Sequence, residues 1–289
     1  MNRAQVWLAG ARPKTLPAAV VPVAVGTAAV AEISFSAWRF VAALVVALSL
    51  QVATNYANDY SDGIRGVDDH RVGPLRLVGS GLASRGSVKK AIYASFGIAG
   101  LAGFALAATT TWWLLVVGAA SIAAGWFYTG GPRPYGYAGL GEVFVFIFFG
   151  VVATVGSAFV QTESIDALTV WLSFAVGALA TALLVVNNLR DRVGDASSGK
   201  RTLAVRIGDR ASRWMYVGLL LGAVVGSAIC AVVFERPGAL LGLLGLLPAF
   251  QPLRAVVSGA QGRSLIAVLE ATGKTQLMTG LSLTIGLLL

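Results

Sequence analysis

Trp38-Arg-Phe-Val-Ala-Ala-Leu-Val-Val-Ala-Leu-Ser-Leu-Gln-Val-Ala-Thr-Asn55-Tyr-Ala-Asn58-Asp59-Tyr-Ser-Asp62 runs from a long apolar stretch directly into a cluster of amides and acids. Gly-Ile-Arg65-Gly-Val-Asp68-Asp69 continues the cluster. The apolar part is long enough to cross a bilayer as a helix, which needs about 20 residues. It shows no period-2 alternation, so a barrel strand is excluded. Carboxylates are costly near lipid unless something neutralises them, so acids at the end of such a helix mark a site.

The same arrangement recurs at Asn187-Asn188-Leu-Arg190-Asp191-Arg192-Val-Gly-Asp195, after a second long apolar run. The chain has 13 acidic residues, and six of them fall in these two stretches. It is 56% hydrophobic and 12% charged, with mean hydropathy +0.76. A soluble domain carries about twice that charge, so the fold class is an all-α membrane protein. The lone Cys230 lies in an apolar run and excludes a disulfide framework. Arg12, Pro13 and Lys14 interrupt the opening, which argues against a cleavable signal.

Reading for apolar stretches predicts about nine transmembrane helices, near 15–31, 38–58, 91–108, 112–129, 141–161, 166–188, 213–234, 238–256 and 273–289. Cytoplasmic loops collect Lys and Arg. With the N-terminus inside, 20 of the 22 basic residues fall in inner segments; Arg39 and Arg236 are the exceptions. Both acid clusters, and with them the active site, are then expected at the cytoplasmic face, with the C-terminus outside. The formal net charge of +9 is a topology signal rather than a nucleic-acid footprint. Spans 1–4 and 5–8 also look alike, each with a second helix ending in Asn and Asp before a basic loop. The predicted plan is a doubled four-helix arrangement plus one helix, in a single domain over 1–289, with corresponding polar ends sharing one site.

Asn55, Asp59 and Asp62 share one helix face, as do Asn188, Asp191 and Asp195. Two acidic helix ends facing each other repel unless cations lie between them. Oxygen ligands without His or Cys favour a hard ion, and Mg²⁺ characteristically combines one or two carboxylates with substrate phosphates. A magnesium-bridged diphosphate fits, with Arg65, Arg71, Arg76, Arg190, Lys200 and Arg201 available for its other oxygens. Asn55 and Asn188 are either metal ligands or helix-end caps. Arg133, in a Gly/Pro-rich loop, either reaches the diphosphate or anchors the interface. Tyr128 and Tyr135 suit a cation leaning on ring faces, and equally an interfacial belt. Arg12 and Lys14 are candidates for an acceptor carboxylate, although topology alone also accounts for them. His70, beside Asp69, is read as a solvated loop residue.

Several motifs together resemble those of the UbiA-type intramembrane prenyltransferases, particularly their 1,4-dihydroxy-2-naphthoate branch in menaquinone synthesis. They are Ala11-Arg12-Pro13-Lys14-Thr15-Leu16-Pro17, Asn58-Asp59-Tyr60-Ser61-Asp62-Gly63 and Arg71-Val72-Gly73-Pro74-Leu75-Arg76. Tyr128-Thr129-Gly130-Gly131-Pro132, Tyr135 through Glu142, Asn188-Leu189-Arg190-Asp191 and Gly199-Lys200-Arg201-Thr202-Leu203 complete the set. The general pattern of an Asn and two acids at four-residue spacing fails at Gly63, so Asp62, Asp68 and Asp69 compete for the last metal position. The resemblance implies that Asp59, Asp62 or Asp68, Asp191 and Asp195 hold Mg²⁺ on a polyprenyl diphosphate. It implies attack by the ring of 1,4-dihydroxy-2-naphthoate with loss of CO₂, giving demethylmenaquinone, in a bacterial cell membrane whose lipid surrounds the prenyl tail. The alternative acceptor is another aromatic such as 4-hydroxybenzoate. A CDP-alcohol phosphotransferase would need one continuous aspartate run, which is absent. A cation transporter would place its acids near the bilayer midplane.

Overall fold

The computed structural model describes residues 2–66 and 76–289, and every described element is helical. In chain order these are α1 (Arg3–Ala11), α2 (Pro17–Ala29), α3 (Ala37–Ile64), α4 (Arg85–Ala108), α5 (Trp113–Phe127). They continue as α6 (Gly141–Thr162), α7 (Ala167–Ser197), α8 (Leu203–Val233), α9 (Pro237–Val257) and α10 (Ser264–Leu287).

Six of them (α3, α4, α6, α7, α8 and α9) are long and apolar enough to cross a membrane. The predicted spans that differ are those at α2, α5 and α10. α2 and α5 are apolar but have 13 and 15 residues, about 20 and 22 Å of helix, less than a bilayer core. α10 has 24 residues but begins ten positions before Lys274 and carries both Glu270 and that lysine, which lowers its hydropathy. Three long helices are irregular inside, among them α8, which is broken at Gly208 with φ 81° and ψ 178°. α6 contains a π-helical stretch at Phe146–Val152, and α9 is broken by short 3-10 turns around its prolines.

The most extensive helix contacts are α3 with α4 and α7 with α8. α7 is the most enclosed long helix, with 78% of its apolar window buried. Small residues let it be approached closely. A side chain on Gly150 of α6 would stand 2.5 Å from the Cα of Gly177, so these backbones touch. α10 packs on α2, α7 and α9. The outward surface is apolar, with Leu101, Trp113, Val232 and Leu247 each more than two-thirds exposed, as suits lipid contact.

α3 and α7 both end in their acid clusters, and these ends meet one chamber. At the opposite end lie the two cations that break the charge bias. Arg39 is bound to the carbonyls of Thr109 and Val160 and to Glu163; Arg236 pairs with Glu32 at 2.7 Å.

Candidate active site

The α3 and α7 ends wall a polar chamber of about 790 Å³, closed by the loop between α5 and α6 and by the α7–α8 connection. Asn58 and Asp62 line it from α3 and Gly66 from just past its end; Asn187, Asp191 and Asp195 line it from α7. Asn58 and Asp62, like Asn187, Asp191 and Asp195, follow four-residue spacing, which puts each set on one face of its helix. Asn58 and Asn187 also line a second, mainly apolar cavity of about 280 Å³ that runs between α2, α3, α5 and α6. Arg12 and Tyr128 are the other conspicuous residues common to both spaces, and these four form a neck between them.

Asp62 is 3% exposed and heavily partnered. Its Oδ1 accepts from Tyr137 Oη at 2.5 Å and from Lys200 Nζ at 2.9 Å; its Oδ2 lies 3.4 Å from Arg76 Nη2. Burial and the Asp62 carboxylate both push the Tyr137 phenol pKa upward, so it stays a hydrogen donor. The Tyr137 ring also lies 4.5 Å from the Lys200 ammonium and 5.1 Å from the Arg65 guanidinium. Across the chamber, Arg190 holds both Asp191 oxygens at 2.7 Å and reaches Asn187 Oδ1 at 2.8 Å. Arg190 is 6% exposed, and its buried Nη1 has no hydrogen-bond partner among the described residues. Asp195 accepts from Thr202 Oγ1 at 3.4 Å.

The structure separates the remaining candidates. Asp59 does not line the chamber: both its oxygens accept backbone N–H groups, from Leu77 at 2.7 Å and Val78 at 2.9 Å. Asn55 donates to Ala11 O and Thr15 Oγ1, facing the apolar cavity. Asn188 lines the chamber and donates to buried Glu142 at 2.9 Å. Arg65 binds the carbonyls of Thr129 and Gly131 and so fixes the α5–α6 loop rather than facing the chamber. Tyr128 stands edge-on to Tyr135, which stacks on Phe144 in the apolar cavity. Lys14 pairs with Glu270, while Arg133 and Arg201 are exposed and line neither cavity. Asp68, Asp69, His70 and Arg71 lie outside the described residues. Sequence reasoning missed Asn58, Asn187 and Tyr137; the four-residue register common to both helices was the available signal for the two asparagines.

Among the described residues, no three His, Cys, Asp or Glu side chains converge to hold an ion by themselves. The chamber instead offers oxygen donors from two helices, carboxylates of which Asp62 and Asp191 are already paired with cations, and the spare N–H of Arg190. That composition fits a hard cation shared with an anionic, oxygen-rich ligand.

The sequence profile of the UbiA prenyltransferase family matches residues 19–265. A 1,4-dihydroxy-2-naphthoate octaprenyltransferase from Mycobacterium tuberculosis (strain ATCC 25618 / H37Rv) is 47% identical over 277 residues, covering 96% of this chain and 94% of that protein. Among solved structures, the apo UbiA homolog from Aeropyrum pernix K1 superposes with TM-score 0.72 at 14% identity, covering 99% of this chain and 98% of that one. A UbiA homolog from Archaeoglobus fulgidus bound to GPP and Mg²⁺ gives TM-score 0.64 at 15% identity, covering 96% and 99%.

Proposed function

The chain belongs to the UbiA prenyltransferase family, and we propose that its polar chamber binds the diphosphate of a polyprenyl donor while the apolar cavity takes the tail. It is an integral membrane enzyme that transfers a polyprenyl chain from the diphosphate to 1,4-dihydroxy-2-naphthoate, with loss of diphosphate and CO₂, in menaquinone biosynthesis. The transfer is redox-neutral, so the ring leaves as the quinol, and a later oxidation gives demethylmenaquinone. One observation carries the assignment of the chambers. Asp62 and Asp191 line one space, and Asn58 and Asn187, one turn before them, line both that space and the adjoining apolar one.

In this reading Asp62, Asp191 and Asp195 hold Mg²⁺, as the magnesium in the Archaeoglobus relative encourages; Asp68 is the further candidate beyond the described residues. Bound there, the metal supplies Lewis-acid stabilisation of the departing diphosphate. Lys200, Arg76 and the free N–H of Arg190 bind the remaining oxygens and carry charge that grows as the C1–O bond breaks. Tyr128, at the neck, offers its ring face to the allylic carbon. Asp59 supports the site indirectly by holding the turn at Leu77 and Val78.

We also read α2, α5 and α10 as membrane segments, nine in all, in two four-helix sets plus α10. The basic inner segments put the chamber and N-terminus on the cytoplasmic side. The test is incubation of the purified protein with polyprenyl diphosphate, Mg²⁺ and each aromatic acceptor. Prenylated product with dihydroxynaphthoate is expected. Product with 4-hydroxybenzoate alone would overturn the acceptor and keep the fold.

A further inference from the structure

The segment linking α1 to α2 is held with unusual care for a surface connection. Tyr56 donates to Trp7 O at 3.0 Å, Asn55 to Ala11 O at 2.9 Å, and Gln51 to Thr15 Oγ1 at 3.1 Å. Two of these side chains of α3 hold the backbone before Arg12, and the third holds the Thr15 side chain after it. Arg12 itself adopts a left-handed conformation, φ 53° and ψ 69°, which is costly for a residue with a Cβ and persists only when its surroundings enforce it.

The result is an arginine delivered to the neck. Arg12 lines both the polar chamber and the apolar cavity, and its buried Nη2 has no hydrogen-bond partner among the described residues. A guanidinium N–H out of water without an acceptor is costly, and more so when charged. An anionic oxygen arriving there recovers that cost. Lys14, two residues on, is turned out to Glu270 and does not compete.

From this we propose that Arg12 is the specificity residue for the carboxylate of the aromatic acceptor. The inference rests on the prenyl-transfer reading above. The diphosphate has Lys200, Arg76 and Arg190 around Asp62 and Asp191, inside the polar chamber. Arg12 instead faces the junction, where the ring meets the allylic carbon. A planar guanidinium matches a carboxylate in two parallel hydrogen bonds, and Arg12 orients the ring by the group that departs as CO₂.

The test compares wild type, Arg12→Lys and Arg12→Ala with two acceptors, 1,4-dihydroxy-2-naphthoate and 1,4-dihydroxynaphthalene, at varied donor concentration. With the second acceptor the ring loses a proton instead of CO₂. Wild type is expected to favour the carboxylated acceptor by 10-fold or more in kcat/KM. Arg12→Ala should raise the KM for that acceptor at least 10-fold and abolish the preference, leaving the KM for polyprenyl diphosphate within twofold. Arg12→Lys, which keeps the charge without the planar fork, should recover part of the preference and guards against a folding failure in the alanine variant. A rise confined to the donor KM would assign Arg12 to the diphosphate and overturn the proposal, as would an unchanged preference. Failure of wild type with every acceptor would instead sink the underlying reaction.

Discussion

Lys200 Nζ and Asp62 Oδ1 lie 2.9 Å apart although 138 positions separate them in sequence. The contact joins the second half of the chain to the first inside the chamber, with both side chains almost fully buried. Desolvation offsets most of the Coulomb gain of such a pair, but removing one partner strands the other and costs about 3–5 kcal/mol in an enclosed setting. Lys200→Met should therefore lower Tm and cut kcat/KM at least 100-fold, read from thermal unfolding in detergent and from prenyl transfer.

Asp59 and Asp62 should fail differently. Asp62→Asn removes a chamber carboxylate and strands Lys200, so it is expected to lower Tm and also to abolish turnover at temperatures where the protein stays folded. Asp59→Ala deletes two acceptors of backbone N–H groups and should destabilise by about 2–4 kcal/mol, with activity falling because the turn at 77–78 is released. Paired Tm and rate measurements separate the two; full turnover in Asp62→Asn would remove it from the metal set.

Tyr137→Phe deletes the hydrogen bond to Asp62 while keeping the ring between Lys200 and Arg65. The phenol pKa is displaced upward, first by burial and then by Asp62, so its proton stays on throughout the neutral and mildly alkaline range. The variant should lose about 5-fold in kcat, with the same shape of rate profile between about pH 6 and about pH 9. A limb that disappears with the hydroxyl would show instead that Tyr137 titrates in that range.

Gly118 and Gly156 line the apolar cavity, and a Cβ at either would meet nothing within 4 Å. Gly156→Phe should fold normally and shift donor preference toward shorter prenyl diphosphates by 10-fold or more. Competition between a short and a long donor measures it. Gly26→Ala should do the opposite, because its Cβ would stand 2.1 Å from Thr154 O and force α2 away from α6. Overpacking of that kind costs about 1–3 kcal/mol.

Membrane class and the pairing of two acidic helix ends were readable from the chain, because apolar length and scarce acids are local features. The partition of the first cluster was not. Asn55, Asp59 and Asp62 do share a broad face, but residues three apart on a helix differ by about 60° around its axis. The chain returning at Leu77 and Val78 claims the Asp59 edge, a tertiary contact that no spacing records. The partners of Arg65 and Lys14 were hidden for the same reason, since Gly131 and Glu270 lie far along the chain. The short helices α2 and α5 show the limit of counting apolar residues: Pro17 and the turn at Thr109–Trp112 set their ends, and hydropathy does not.

The neck formed by Arg12, Asn58, Tyr128 and Asn187 divides a wet, charged compartment from an oily one. An allylic cation born at that boundary has two fates, capture by the aromatic ring or capture by water from the charged side. The width of the neck thus governs how faithfully each donor molecule is used. A smaller residue at Tyr128 should appear first as wasted donor, free prenyl alcohol released alongside product, before it appears as a slower enzyme.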